Sequence, residues 1–360
     1  MPTISRLFDT PDLWQQLRGE TRDIWLYGMG NGADKILAVM AERGIPVCGV
    51  FASDGFVRGH TFHGMPVRSF SELCALYPEN GCVVLLSFGT ARPDVLALIA
   101  RVAARYPLFV PDVPVCGDTL FDAAFLAAHR EEILAARALL ADDSSRRIFD
   151  LTLVAKLTGE FSLFEKASDP EGADRRILSL DTVRSMADFG AYNGDTAREM
   201  LSHAPLDFLL LAEPDPRNFK KLSRFAAELT DCRVLCAPVA VSDTDGSAYF
   251  DASGNRNAGL CTGRENEKST VKTARPDTLL KGETVEYIKY DVEGAEAAAL
   301  HGSADIIRRA APRLKVACYH RSEDIFHLLL LLHELAPSHR LYLTRRYSLP
   351  AWDLDILAVP

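Results

Sequence analysis

The sequence predicts an α/β protein with two lobes, each built on a mostly parallel sheet, and a helical segment between them. Two runs carry most of this prediction, residues 186–196 and residues 288–296. Each run is an apolar strand that ends at an acidic residue and continues through a glycine-bearing turn into a helix. Because open α/β sheets bind ligands outside the carboxyl ends of their strands, both acidic ends are expected at one cleft.

Strands and helices alternate in the first part of the chain, which is typical of parallel βαβ units. The patterns predict strands over 24–27, 47–51, 83–87 and 108–110, and a helix over 31–43. The first strand is followed by a turn with the pattern G-x-G-x-x-A, which can hold a phosphate at a helix N-terminus. A candidate nucleotide site therefore comprises Gly28, Gly30, Gly32 and Asp54. The alternative is an ordinary connection that only shapes the substrate site.

An Ala- and Leu-rich helical pattern covers residues 121–164. Residues 166–176 contain Pro170 and Gly172 and are predicted to form a loop. The predicted organisation is an N-terminal α/β domain over 1–115, a helical connecting segment over 116–178 and a C-terminal domain over 179–360.

In the C-terminal domain, the strand predicted over 208–212 ends at Glu213, 23 residues after Gly190. An acidic side chain at this position would meet ribose hydroxyls. Tyr192 stands where a dinucleotide-binding turn needs its middle glycine. S-adenosylmethionine has a ribose but no pyrophosphate, so the turn suits this cofactor better. The chain is expected to finish with an antiparallel hairpin from 340–344 to 354–359.

Several motifs follow one another in this domain: Asp188-x-Gly190-Ala191-x-x-Gly194-Asp195-Thr196, Glu213-Pro214-Asp215-Pro216-x-Asn218-Phe219, Val239-Ala240-Val241-Ser242-Asp243, Asp291-Val292-Glu293-Gly294-Ala295-Glu296 and Tyr319-His320. In this order they resemble the FkbM family of S-adenosylmethionine-dependent methyltransferases. The resemblance covers residues 180–360, about half of the chain, and implies a seven-stranded Rossmann-like methyltransferase domain. One departure is Arg275-Pro276-Asp277, where relatives usually carry Thr-Leu-Asp. The first lobe resembles the Rossmann-like domain that precedes some sugar-modifying enzymes.

The resemblance implies O-methylation, often of sugar hydroxyls in glycans, polysaccharides or natural products. The two turn glycines would let the backbone approach the methionine part of the cofactor, Glu213 would bind the ribose, and residues 240–243 would border the adenine. The expected cofactor-binding residues are Asp188, Gly190, Ala191, Tyr192, Gly194, Glu213, Pro214, Ala240, Ser242 and Asp243.

The predicted catalytic residues are His320 and Asp291. His320 follows a strand predicted beside the one that ends at Asp291, and an imidazole can accept a hydroxyl proton near neutral pH. Asp291 is the alternative base. Glu293 and Glu296 are spaced to share a helix face and are candidates for substrate binding, although Glu293 could instead cap the helix.

A metal site is weighed against this arrangement. Carboxylates and an imidazole at adjacent strand ends could hold a divalent ion that acidifies a hydroxyl. The sequence offers Asp291 and His320 but shows no third ligand, so no metal is expected.

Composition narrows the class of protein. A net charge of −9 over 360 residues argues against a nucleic-acid partner, and no apolar stretch approaches the ~20 residues of a membrane span. The start of the chain lacks a signal-peptide core, and the eight cysteines show no Cys-x-x-Cys spacing. A cytoplasmic enzyme that acts on a small-molecule or glycan acceptor is therefore expected, and assembly into a homo-oligomer is compatible with the sequence.

Two rival functions remain open at this point. The protein could be a non-catalytic nucleotide- or nucleotide-sugar-binding protein that keeps the methyltransferase fold. It could also carry out NAD-linked oxidoreduction through the first lobe, although that lobe shows no separate catalytic constellation.

Overall fold

The computed structural model describes residues 4–57, 59, 61–250 and 269–360. Within these ranges, the chain forms two parallel-rich sheets joined by helices, which confirms the predicted α/β class and the seven-stranded second sheet.

The first lobe alternates helices and strands. In chain order they are α1 (Ile4–Leu7), α2 (Leu13–Arg18), β1 (Asp23–Tyr27), α3 (Asn31–Glu42), β2 (Gly49–Ala52), a 3-10 helix (Asp54–Phe56), β3 (Thr61–Phe62), β4 (Met65–Ser69), α4 (Phe70–Leu76), β5 (Cys82–Leu86), α5 (Pro93–Ala103) and β6 (Leu108–Phe109). The strand order is β3-β4-β2-β1-β5-β6, and only the β3–β4 pair is antiparallel. All five residues of β5 are buried, as expected for a parallel strand covered on both faces.

The helical segment follows. It contains α6 (Ala123–Ala128), α7 (Arg130–Leu139), α8 (Asp143–Thr158), α9 (Phe161–Lys166) and α10 (Ala173–Leu178). The loop predicted over 166–176 is therefore wrong at its end, because α10 begins at Ala173. Asp174 in its first turn is buried and lies 2.6 Å from the Lys315 ammonium. This contact between residues far apart in the sequence stabilises a short helix. The nearby Pro170 and Gly172 had indicated a loop there.

The second lobe contains the larger sheet. Its elements are a 3-10 helix (Leu180–Thr182), β7 (Ser185–Phe189), α11 (Asp195–His203), β8 (Phe208–Ala212), α12 (Pro216–Ala227), β9 (Arg233–Ala237), β10 (Ala240–Val241), β11 (Gly246–Phe250), β12 (Ser269–Ala274), α13 (Pro276–Leu279), β13 (Tyr287–Tyr290), α14 (Glu296–His301), α15 (Ala304–Ala310), β14 (Arg313–Ala317), α16 (Asp324–Leu335), β15 (Arg340–Arg345) and β16 (Leu354–Val359).

The strand order of this sheet is β15-β16-β14-β13-β7-β8-β9, and β10, β12 and β11 form a separate small sheet. β16 is antiparallel to both of its neighbours, which confirms the predicted C-terminal hairpin. The central strand β7 lies between β8 and β13, so the direction of the strand order reverses beside it. An open α/β sheet binds its ligand at such a reversal, at the carboxyl ends of the strands.

The helical segment packs onto the second lobe. α7 lies against α16, and α8 lies against β15. The largest apolar core is continuous from β5 of the first lobe through α8 to β13 and β14 of the second. The domain boundaries placed at residues 115 and 178 stay predictions. Among the described helices, none combines the length and the apolar character needed to cross a bilayer.

Candidate active site

The polar strand ends predicted to share one cleft are brought together. β8, β7, β13 and β14 are successive parallel neighbours. Their carboxyl ends lead to Glu213, the glycine turn at Gly190, Asp291 and His320. Beside them lies a cavity of about 360 Å³, within the size range of small-molecule sites.

The predicted residues divide into two groups around this cavity. Those that line it are Gly190, Tyr192, Glu213, Pro214, Ala240, Asp291 and Glu293. Those that do not line it are Asp188, Ala191, Gly194, Ser242, Asp243, Glu296 and His320.

Glu213 is the best-defined acidic group of the cavity wall. One carboxylate oxygen accepts a hydrogen bond from the Tyr192 N–H and the other accepts one from the Asp215 N–H, both at 2.8 Å. Burial raises the pKa of Glu213 to about 7, against the opposing effect of these two bonds. Each oxygen keeps a lone pair for a further donor, which is the arrangement that a ribose diol requires.

Asp188 does not line the cavity, and its role in binding the cofactor stays a prediction. Its side chain is fully buried and its Oδ1 lies 3.3 Å from the Nζ of Lys289, which is also 3.5 Å from Asp291 Oδ2. Burial lowers the pKa of Lys289, but Asp188 and Asp291 outweigh burial and raise it. Burial likewise raises the pKa of Asp291, whereas Lys289 and His320 outweigh it and hold that pKa below its usual value. The ammonium thus keeps Asp291 ionised at the cavity wall.

Carboxylates surround the imidazole of His320. Its Nε2 lies 3.5 Å from Asp291 Oδ1 and 3.3 Å from Glu293 Oε2, and its Nδ1 lies 2.9 Å from Glu296 Oε1. Neither ring nitrogen is aligned for a hydrogen bond, and the residue has no exposed surface. Burial lowers the pKa of His320, but the three carboxylates outweigh burial and raise it well above the ordinary value.

The two glutamates of the acidic motif lie at different places on the backbone. Glu293 is in the turn before α14, with a positive φ of 54°, and Glu296 is the first residue of the helix. The predicted shared helix face is therefore wrong, because only Glu296 is helical. Glu296 also accepts a hydrogen bond from the Val292 N–H at 2.8 Å. The residue that caps α14 is Ala295, so the alternative role of Glu293 as a helix cap is wrong. Burial raises the pKa of Glu293 above its ordinary value.

The two turn glycines are needed for packing within the protein. Gly190 has a φ of +84°, and a Cβ there would lie 1.8 Å from the Asp291 carbonyl oxygen. A Cβ on Gly194 would lie 2.5 Å from the Phe225 ring. Both glycines therefore permit close contacts with other parts of the chain. The sequence analysis had explained them by the approach of the backbone to the cofactor, which stays a prediction.

The stretch expected to border an adenine is only partly at the cavity. Ala240 and Val241 form β10 and line the wall. Ser242 does not line the wall; its N–H donates to the Ala274 carbonyl and its hydroxyl to Asp243.

The first lobe reaches the same site through the segment after β6. Val115 lines the cavity, and the Cys116 N–H donates to the His320 carbonyl at 2.9 Å. The Lys35 ammonium of α3 donates to the carbonyl of Val115 at 2.9 Å. Trp352 of the second lobe lines the cavity and packs so closely on Gly89 that a Cβ there would overlap its ring.

The glycine-rich turn of the first lobe is also explained by packing at two of its positions. A Cβ on Gly28 would meet the Phe88 ring at 2.4 Å, and one on Gly32 would meet the Ser87 carbonyl at 2.4 Å, whereas Gly30 faces open space. Asp54 accepts hydrogen bonds from the N–H and hydroxyl of Ser71. A nucleotide site at this turn stays a prediction.

Sequence reasoning did not identify several residues of the cavity wall. These are Asn218, Lys289, Lys315, Tyr319, Arg346, Trp352, Asp353 and Asp355, among others. The sequence could have indicated two of these residues. Lys289 lies two positions before Asp291, so both side chains face the same side of the sheet. Tyr319 directly precedes His320, and its hydroxyl donates to Asp291 at 3.3 Å.

The strand order and the cleft beside β7 define a Rossmann-like methyltransferase fold. Residues 188–343 match the family model of the methyltransferase FkbM domain. The resemblance that the motifs indicated is therefore confirmed: residues 188–343 of the second lobe are similar to an FkbM methyltransferase domain.

One solved structure supports the fold of nearly the whole chain. The crystal structure of methyltransferase FkbM from Methylobacillus flagellatus KT aligns over 99% of this chain and 94% of its own, with a TM-score of 0.69 at 17% identity. Precorrin-6y C5,15-methyltransferase from Geobacter metallireducens GS-15 aligns over 53% of this chain and 88% of its own, with a TM-score of 0.34 at 10% identity. Fibrillarin from Aeropyrum pernix, solved with natively bound S-adenosyl-L-methionine, aligns over 52% and 73%, with a TM-score of 0.34 at 12% identity. Among the curated proteins, none matches.

Proposed function

We propose that the protein is an S-adenosylmethionine-dependent O-methyltransferase that acts on a hydroxyl of a sugar, glycan or natural product. The observation that carries this proposal is the Glu213 carboxylate at the wall of the cleft in an FkbM domain. Its two oxygens are fixed by backbone N–H groups, so it is oriented before a ligand arrives. Such preorganisation reduces the entropy lost on binding.

The residues present fit the cofactor. Glu213 would accept hydrogen bonds from both ribose hydroxyls, while Ala240 and Val241 offer an apolar surface to the adenine. The cavity continues from there to Gly190 and Asp291. When bound, the cofactor supplies an electrophilic methyl carbon on a sulfonium, and the protein must place a hydroxyl oxygen in line with it.

The far side of the cavity suits a polyhydroxylated acceptor. Asp291 and Glu293 offer carboxylate oxygens to hydroxyl donors, and the Trp352 ring offers an apolar face. With the net charge of −9, these groups favour a sugar-containing or other small neutral acceptor over a nucleic acid. We also propose cytoplasmic action, and assembly into a homo-oligomer remains compatible with the chain.

The hydroxyl proton must leave as the oxygen attacks. His320 was predicted to take it, and that role stays a prediction, but the imidazole is separated from the cavity by Asp291 and Glu293. The acceptor would meet one of these carboxylates first. Glu293 has the raised pKa that a general base needs, and His320 would position its carboxylate from behind.

Calorimetric titration with S-adenosylmethionine tests the proposal, together with mass spectrometry of methylation reactions on pools of glycans and nucleotide sugars. We expect binding of the cofactor and a mass increase of one methyl group in at least one acceptor. Glu213→Ala should weaken cofactor binding by more than about tenfold, because charge-assisted hydrogen bonds contribute about 1.5–3 kcal/mol. Glu131→Ala, an exposed glutamate on α7, is the matched control and should bind normally.

The alternative is a non-catalytic nucleotide-sugar-binding protein with the same fold. It would be favoured if nucleotide sugars bound to the folded protein and S-adenosylmethionine did not.

A further inference from the structure

The most unusual chemistry in the described residues is the group of side chains around His320. Three carboxylates, from Asp291, Glu293 and Glu296, face one imidazole within 3.5 Å. One ligand atom from each of Asp291, Glu296 and His320 can be chosen so that all lie within 4.8 Å of one another. Oxygen ligands lie about 2.0–2.6 Å from a divalent ion. Ligands on opposite sides of one ion are thus separated by about 4–5 Å, which matches this spread.

A second observation separates this group from an ordinary acidic cluster. His320 has no exposed surface and Glu296 is 1% exposed. Both ring nitrogens and Glu296 Oε2 lack an aligned hydrogen-bond partner. Buried polar atoms in native proteins nearly always have a partner, and an exception is explained by a missing ion or water or by a catalytic role. A cation binds only one nitrogen of an imidazole, so a single bound ion would satisfy one ring nitrogen of His320 together with a carboxylate oxygen of Glu296.

The surrounding charges also favour a cation. Lys289 is the nearest ammonium to Asp291, but it is shared with the fully buried Asp188. Arg321 donates from its Nε to the Gly294 carbonyl, and no contact between its guanidinium and the three carboxylates is seen in the described residues. Buried carboxylates are normally paired or bound to a metal.

We propose that Asp291, Glu296 and His320, with Glu293 beside them, bind one divalent cation that accepts both carboxylate and imidazole ligands, of the Mn²⁺ type. Carboxylates suit Mn²⁺, and imidazole suits first-row transition ions. Asp291 and Glu293 also line the cavity, so the ion lies next to the place of the acceptor.

The catalytic consequence rests on the proposed function. A cation at this position lowers the pKa of an acceptor hydroxyl. The hydroxyl proton then passes to the Glu293 carboxylate while the new oxygen–carbon bond forms and the sulfur–carbon bond of the methyl donor breaks. The sulfonium becomes a neutral thioether, and no oxidant or reductant is needed.

The test uses the full chain after treatment with a chelator, titrated with Mn²⁺ and followed by electron paramagnetic resonance without any methyl donor. We expect one tightly bound Mn²⁺ per chain, and a nitrogen coupling in the pulsed spectrum that reports the imidazole of His320. Glu296→Gln and Asp291→Asn should each weaken Mn²⁺ binding by at least about tenfold. Glu132→Gln is the matched control, because this glutamate also contacts a histidine, His129, but lies on the exposed face of α7.

The nitrogen coupling is measured on the unmodified protein, so the test stands even if a variant fails to fold. Absence of specific Mn²⁺ binding, absence of the nitrogen coupling, or equal affinity in Glu296→Gln and Glu132→Gln would each overturn the site. Binding without any methyl transfer would refute the proposed function and leave the site intact. Transfer at full rate in excess chelator would remove the catalytic role of the ion.

Discussion

The affinity for S-adenosylmethionine is expected to depend on pH through Glu213. Without a ligand, burial raises the pKa of this carboxyl to about 7, so it is largely protonated in mildly acidic solution. Two ribose hydroxyls can both donate only to the ionised carboxylate. Binding therefore favours the ionised form and lowers the pKa, and the bound protein holds fewer protons than the free protein. Affinity must then rise with pH up to about 7 and level off above it.

The size of the change in affinity follows from the fraction of protein in which Glu213 is ionised. With a pKa of about 7, the ionised fraction is about 0.76 at pH 7.5 and about 0.03 at pH 5.5. The apparent dissociation constant is the intrinsic constant divided by this fraction. It should increase about 25-fold between pH 7.5 and pH 5.5, equivalent to ~1.9 kcal/mol. Binding at pH 6.5 should release about 0.8 proton.

Calorimetry in two buffers with different ionisation enthalpies measures both the affinity and the proton release. Glu213→Gln provides the comparison, because an amide does not titrate. It should bind more weakly at pH 7.5 and change less than about threefold down to pH 5.5. An amide N–H₂ would face one of the two backbone N–H groups, so the fold of this variant must be checked by thermal unfolding. Equal pH dependence in both proteins would show that Glu213 does not control binding.

Three further predictions concern chemistry and stability. His320→Gln should lower methyl transfer about 10²-fold or more while changing cofactor affinity less than twofold, because its contacts are with the acceptor-side carboxylates; near-normal turnover would exclude it from the reaction. Gly190→Ala should reduce the free energy of unfolding by more than about 2 kcal/mol in urea titrations, because its Cβ would overlap a carbonyl at a positive φ; an unchanged midpoint would contradict this. Arg345→Met should cost about 2–5 kcal/mol in the same assay, since the buried guanidinium donates to the carbonyls of Phe164 and Ser348; a loss below about 1 kcal/mol would show that those carbonyls find other partners.

Local patterns predicted the parts of this protein that depend on short stretches of sequence. The strand ending at Glu213, the acidic turn after β13 and the C-terminal hairpin all follow from apolar runs and the residues that end them. The rule that ligands bind at carboxyl strand ends then brought Glu213, Asp291 and His320 to one edge of the sheet. For these residues, the sheet topology and the local sequence both predict a position at this edge.

Contacts between distant segments were beyond the reach of those patterns. The helix α10 depends on Lys315, 141 positions away from Asp174, and the cavity wall at Val115 comes from the other lobe. His320 is buried against three carboxylates that come from the turn after β13 and from the start of α14. From the sequence, a histidine at a strand end is expected to be an accessible base. The packing shows that Asp291 and Glu293 lie between the His320 imidazole and the cavity.

The register of the sheet explains why a lysine belongs among the strand-end acids. Lys289 pairs with Asp188 on β7 and with Lys315 on β14, so the three side chains form one row across neighbouring strands. Two adjacent ammonium groups repel, and each is compensated by carboxylates at its own place: Lys289 by Asp188 and Asp291, and Lys315 by Asp174 and Asp355. Because side chains alternate along a strand, a lysine two residues before a strand-end aspartate must share its side of the sheet. The Lys-x-Asp pattern at 289–291 therefore places an ammonium group next to Asp291 at the cavity wall. This ammonium keeps Asp291 ionised where the acceptor would bind.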